Sequence, residues 1–212
     1  MDHSLWIAAF AGLAAGLTHA LSGPDHLSAV APLVVGERKS GWHGWRTGLL
    51  WGIGHSVGIW LMGLLALALR GVLPLERVSS WSERMVGAVL IAVGLWGLRK
   101  AFAPRLQGEA HGHSHPQPRR RSAALWIGSL HGLAGSSHIL GLFPALALPT
   151  AAASFAYIGG FGLGAILAMV AFASALGLAS VRLTANGGRG YQALLGGASA
   201  VSIVLGGFWL IS

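Results

Sequence analysis

His19-Ala-Leu-Ser-Gly-Pro-Asp25-His26 decides how this chain is read. It lies inside residues 4–36, an apolar stretch in which Asp25 is the only formally charged side chain. A carboxylate in hydrocarbon is costly unless something pairs with it, so an acid at membrane depth marks a functional site by default. The other five acids, Asp2, Glu37, Glu76, Glu83 and Glu109, fall at ends or in loops. An imidazole closes each end of the run. One carboxylate and two imidazoles beside a helix break point to a divalent-cation site.

The surrounding composition is that of a membrane protein. Of 212 residues, 54% are hydrophobic and 9% charged, and the mean hydropathy is +0.65. Stretches near 4–36, 47–69, 81–98, 123–148, 151–180 and 190–211 reach the roughly 20 apolar residues that a spanning helix needs. The first is too long for one straight helix and breaks at Ser22-Gly23-Pro24. The N-terminus lacks a positive leader region and runs straight into a span, so no cleavable signal peptide is expected. The net charge of +8 does not indicate a nucleic-acid partner. Eleven of the 14 Lys and Arg collect in three loops, 37–46, 99–122 and 181–190, which the positive-inside rule places in the cytoplasm. The expectation is a multi-pass protein of the cytoplasmic membrane, embedded in the lipid bilayer, with both termini outside. The chain has no cysteine, which excludes disulfides, thiolate metal sites and thiol-relay chemistry.

The chain also repeats itself. HALSGPDHLSAVAP at 19–32 matches HGLAGSSHILGLFP at 131–144 with a constant offset of 112, pairing His19 with His131, Gly23 with Gly135, His26 with His138 and Pro32 with Pro144. Gly52-Ile-Gly54 echoes Gly160-Phe-Gly162 at an offset of 108. Each copy would hold three spans, and an odd number inverts the second copy in the membrane, the plan of many secondary transporters. The predicted fold is therefore an all-α integral membrane protein. Six transmembrane helices form a 3+3 inverted repeat in which helices 1 and 4 are broken. Residues 1–104 make the first three-helix repeat, 105–122 a cytoplasmic loop rich in His and Arg, and 123–212 the second repeat.

His19 and His26 are seven residues apart and fall within about 20° of each other on a helix of 3.6 residues per turn. Ser22 is expected to cap a new half-helix, with Pro24 in its first turn and Asp25 third, in the manner of a capping box. The carbonyls around Thr18 to Leu21 would then face the gap as oxygen ligands. His55, in Gly52-Ile-Gly-His55-Ser56, offers a third imidazole or a group that orients the site. The expected main metal site is His19, Asp25, His26 and His55. His131 and His138 would complete or gate it from the second repeat, which has no acid of its own. Three further histidines, His111, His113 and His115, form a short tract in the large loop that suits weak metal buffering. His3, behind a free amine, could serve as a capture site for Ni(II) or Cu(II). Imidazole with carboxylate and no thiolate suits Ni(II), Co(II), Zn(II) or Mn(II).

The runs HALSGPDHLSAVAPL at 19–33, GLLWGIGHS at 48–56 and HGLAGSSH at 131–138 resemble the nickel/cobalt transporter superfamily, and most closely its six-span urease-accessory-type nickel permeases. The resemblance covers essentially the whole chain. It implies transport of Ni(II) or Co(II), with His19, Asp25, His26 and His55 as the matching residues. The superfamily's eight-span importers have four residues between the first His and the Asp-His pair and a further acidic motif in a later helix. This chain has five residues there, 20–24, and no such acid. The resulting expectation is a secondary transporter for Ni(II) or Co(II), working in uptake, with the metal ion as substrate and no cofactor. Metal and protons compete for the same ligands, which leaves room for proton coupling. Two alternatives stand beside it. One is efflux through the same site. The other is a membrane accessory protein that hands nickel to a metalloenzyme without transporting it. No His-Glu-x-x-His motif and no nucleophile triad is present at membrane depth, so the chain does not read as an enzyme.

Overall fold

The computed structural model describes residues 3–36, 44–68, 75–102, 118–133, 136–184 and 188–211, and all of its regular structure there is helical. The helices are α1 (His3–Ser22), α2 (Pro24–Gly36), α3 (Gly44–Ala68), α4 (Leu75–Phe102), α5 (Pro118–Leu133), α6 (Ser136–Ala147), α7 (Ala151–Thr184) and α8 (Gly188–Ile211). Among the described residues, four segments are long and apolar enough to cross a membrane: His3–Ser22, Glu83–Phe102, Ala151–Leu183 and Arg189–Ile211. Large apolar side chains such as Phe10, Leu64, Phe155, Val204 and Phe208 are exposed on the outside of the bundle. So many large exposed apolar side chains suit contact with lipid better than contact with water. The all-α fold and its apolar exterior fit a multi-pass membrane protein.

The break predicted at residues 22–24 is present, but it is built around Gly23. The Gly23 N–H donates to the His19 carbonyl at 3.1 Å, closing the last turn of α1. The Gly23 carbonyl accepts from the N–H groups of His26 (3.1 Å) and Leu27 (3.3 Å), opening α2. Pro24 follows at the first helical position, where its missing N–H costs nothing. Ser22 is therefore not the cap. Its hydroxyl lies 3.4 Å from the His19 carbonyl, to which it donates. That carbonyl thus already accepts from Gly23 and Ser22, so the expectation of a free oxygen ligand at this position is corrected. A one-residue break lets each half-helix satisfy its neighbour, which is how irregular backbone survives at membrane depth.

Pro32, inside α2, removes the N–H that would otherwise bond the Ser28 carbonyl. That carbonyl accepts from the Ser202 hydroxyl of α8 at 2.6 Å instead. The Ser28 hydroxyl donates to the Asp25 carbonyl at 3.1 Å. A helix defect is thereby converted into a tie between α2 and α8.

Small residues set the rest of the packing. The helix pairs in broadest contact are α1 with α7, α3 with α5, α3 with α7, and α4 with α8. Gly12 and Gly16 of α1 lie on the backbone of Tyr157 and Phe161 in α7. Gly128 and Gly132 of α5 lie on the backbone of Trp51 and His55 in α3. Gly87 of α4 and Gly206 of α8 meet each other, and a Cβ added to Gly87 would come 2.7 Å from the Gly206 carbonyl oxygen. Without a hydrophobic driving force between helices in lipid, such close backbone approach supplies the van der Waals contact that holds them.

Candidate metal centre

Four of these helices bring their histidines to one place. His19 comes from the last turn of α1, Asp25 and His26 from the first turn of α2, His55 from the middle of α3, and His131 from the last turn of α5. Asp25 is 6% exposed, His26 1%, His55 0% and His131 2%. The approach of α5 to α3 is what delivers His131. Any side chain on Gly132 would strike the His55 backbone, so a glycine there lets the neighbouring imidazole reach the centre.

His26 is the pivot. Its Nδ1 lies 3.0 Å from Asp25 Oδ1, and its Nε2 lies 3.3 Å from His55 Nε2. The second carboxylate oxygen, Asp25 Oδ2, lies 3.0 Å from His131 Nε2. The His19 ring meets His26 edge-on, with centroids 4.7 Å apart, and stacks parallel to His55 at 6.0 Å. Two sets of metal-competent donors result, His19/His26/His55 and Asp25/His26/His131, each with its donor atoms within 4.8 Å of one another. His26 belongs to both. Donors on one ion at 2.0–2.1 Å can be at most about 4.2 Å apart, so either set needs only a small closure to hold an ion.

Gly23 is tied to this arrangement as well. A Cβ on it would lie 2.9 Å from Asp25 Oδ1 and 2.8 Å from His26 Cε1. The residue that breaks the helix is thus also the one whose missing side chain makes room for the acid–imidazole pair.

Of the residues singled out from sequence, His19, Asp25, His26 and His55 are brought together, and His131 joins them directly on the carboxylate. His3 opens α1, is exposed, and belongs to neither donor set. The side chain of His138 and the tract His111, His113 and His115 lie outside the described residues. Two aromatic residues escaped the sequence reading. Trp51 is fully buried and stacks on His55, with centroids 4.8 Å apart and planes 19° apart. It also meets His26 edge-on at 5.6 Å. Phe161, also fully buried, stands 5.4 Å from the His19 ring. Trp51 precedes His55 by one helical turn, a spacing that places two side chains on one face, so it could have been found. Phe161 had no such local signal.

The chain has known relatives. It is 33% identical over 205 residues to Chloroplast protein FOR GROWTH AND FERTILITY 2 of Arabidopsis thaliana, over 93% of this chain and 54% of that one. It is 34% identical over 215 residues to Chloroplast protein FOR GROWTH AND FERTILITY 1 of the same plant, over 95% of this chain and 58% of that one. The chain therefore spans little more than half the length of these two relatives. It is also 29% identical over 182 residues to Urease accessory protein UreH of Bacillus sp. (strain TB-90), over 79% of this chain and 75% of that protein. No protein-family model matches the chain, and no solved structure does.

Proposed function

We propose that this chain is a secondary transporter that moves Ni(II) or Co(II) inward across the cytoplasmic membrane, and that the cluster around His26 is the seat of the ion. The observation that carries the proposal is the buried Asp25 with an imidazole on each of its oxygens and two more imidazoles beyond His26. Buried polar groups in a membrane bundle are expensive and are kept for function. The similarity to a protein named as a urease accessory protein supports nickel as the cargo, as does the resemblance of the three histidine runs to nickel permeases.

In this reading α1–α2 and α5–α6 are broken spans, and α3, α4, α7 and α8 are continuous ones, giving six. Reciprocal packing supports the inverted repeat: α1 lies on α7 as α5 lies on α3, while α3–α7 and α4–α8 pair like with like. Gly16 seats on Phe161 and Gly128 seats on Trp51. Gly16 and Gly128 are 112 positions apart and Trp51 and Phe161 are 110 apart. These contacts support Trp51 and Phe161 as counterparts, and a register of 110 for the second helices in place of the 108 expected from their glycine pairs. Alternating exposure of a midplane site by rocking of two such halves is the mode that this plan supports.

Sealed proteoliposomes offered Ni(II), Co(II), Zn(II) and Mn(II), with and without a pH gradient, test the proposal. Saturable Ni(II) or Co(II) flux that is lost in His26→Ala is the expected result. Flux undiminished in that variant would move the site elsewhere. The name of the bacterial relative also supports an accessory reading, in which the chain hands nickel to a metalloenzyme. Binding without flux would favour that reading, and it would fail if deletion of 109–115 left metalloenzyme maturation intact.

A further inference from the structure

The two donor sets are not equivalent, and their difference assigns roles inside the cluster. We propose that the ion rests on the three imidazoles of His19, His26 and His55, and that Asp25 holds this set from behind without touching the ion. The inference rests on the reading of the cluster as the seat of a divalent metal.

The argument starts from which atoms carry protons. A carboxylate only accepts hydrogen bonds. Both oxygens of Asp25 face a ring nitrogen at 3.0 Å, Oδ1 that of His26 and Oδ2 that of His131. Each of those nitrogens, His26 Nδ1 and His131 Nε2, therefore donates. A neutral imidazole with its proton on Nδ1 presents a lone pair on Nε2. In His26 that lone pair points away from the acid and toward His55 Nε2, 3.3 Å off. The acid side of His26 is thus closed by ordinary charge-assisted hydrogen bonds. The far side is where three imidazoles converge, on His19, His26 and His55.

This is the arrangement by which metal-binding histidines are commonly oriented. The imidazole gives its second N–H to a carboxylate, which fixes its tautomer and raises its basicity as a ligand. Placing the ion instead among Asp25, His26 and His131 would require it to displace both N–H donors from the carboxylate. It would also leave the convergent nitrogens of His19 and His55 without a cation. Asp25 and His131 are accordingly positioning residues. Phe161 walls the three-imidazole side against His19, while Trp51 stacks on His55 and also meets His131 at 5.5 Å. The set is nitrogen-only, which favours Ni(II), Co(II) or Zn(II) over the oxygen-preferring Mg(II) and Mn(II).

The test is X-ray absorption on the purified full chain loaded with one equivalent of Ni(II), together with calorimetric titration of the wild type, Asp25→Asn, His55→Gln and His19→Gln. Three imidazoles per nickel are expected in the wild type. Asp25→Asn keeps an acceptor for His26, so it should retain the three imidazoles while weakening binding by roughly 10- to 100-fold. His55→Gln and His19→Gln should each remove one imidazole and weaken binding further than Asp25→Asn does. Two imidazoles in the wild type would overturn the proposal, because the acid-containing set holds only two. So would affinity lost in Asp25→Asn but kept in His55→Gln and His19→Gln. The imidazole count is read on the wild type alone, so a variant that fails to fold does not protect the proposal. A wild-type chain that binds no Ni(II), Co(II) or Zn(II) would remove the metal reading itself, a different failure from a two-imidazole site.

Discussion

The Nε2 atoms of His26 and His55 lie 3.3 Å apart, at the meeting of α2 and α3, with Trp51 stacked behind the His55 ring. For two imidazole nitrogens this close to form a hydrogen bond, one must carry a proton, and a cation bound by both would replace it. His26→Ala removes a donor common to both possible sets and should abolish Ni(II) binding. His131→Ala leaves the three-imidazole set intact and should weaken binding by roughly 10- to 100-fold. Titration of the two purified variants checks the order, and equal losses would count against His26 as the pivot.

Gly23→Ala is expected to damage the site although alanine usually favours helix. The added methyl would lie within 3 Å of both Asp25 Oδ1 and His26 Cε1. Overpacking of this kind costs about 1–3 kcal/mol. Thermal unfolding in detergent should show the destabilisation, and Ni(II) affinity should fall at least about tenfold, since the shifted group belongs to the cluster.

Trp51→Ala should cost about 3–5 kcal/mol, the usual range for deleting a large buried aromatic side chain. Trp51→Phe keeps a ring against His55 and should cost less. If Trp51 is a wall of the ion seat, Trp51→Phe should change the rate of metal release more than the imidazole count. Stopped-flow release into chelator measures the first, and X-ray absorption the second.

Ser202→Ala removes the donor that serves the Ser28 carbonyl opposite Pro32. An unsatisfied buried carbonyl costs about 1–3 kcal/mol. The expected outcome is a lower unfolding temperature with the number of bound imidazoles unchanged. A loss confined to transport, with stability intact, would instead make the α2–α8 tie part of the moving machinery.

Metal binding should weaken as pH falls. Imidazoles ligate only when neutral, so protons compete with the ion. Below the pH at which a ligand histidine protonates, each such ligand removes about tenfold of apparent affinity per pH unit. Titration of Ni(II) affinity from about pH 8 down to about pH 4 should give a decline steepening toward acid. A profile flat over that whole range would argue against a histidine-built seat.

The membrane character, the position of the first helix break and the pairing of His19, Asp25 and His26 were legible in the sequence. These follow from local rules: apolar length, Gly-Pro chemistry and helical spacing. The apolar length of the segments likewise made an all-α fold readable, because a chain in lipid must satisfy its backbone within each span. Local spacing could not show that His131 reaches across 106 positions to the second oxygen of Asp25, nor that Phe161 faces His19. Those contacts depend on how closely α5 approaches α3 and α1 approaches α7, which the glycines permit but do not by themselves direct. Ser22 carries a typical capping side chain, yet it is the Gly23 carbonyl that opens α2, and Asp25, the expected partner in a capping box, is held by His26 and His131 instead. Residue types along one strip of sequence thus named most of the donors. Only tertiary packing decided which atom of each donor faces which neighbour, and that choice separates ligand from support.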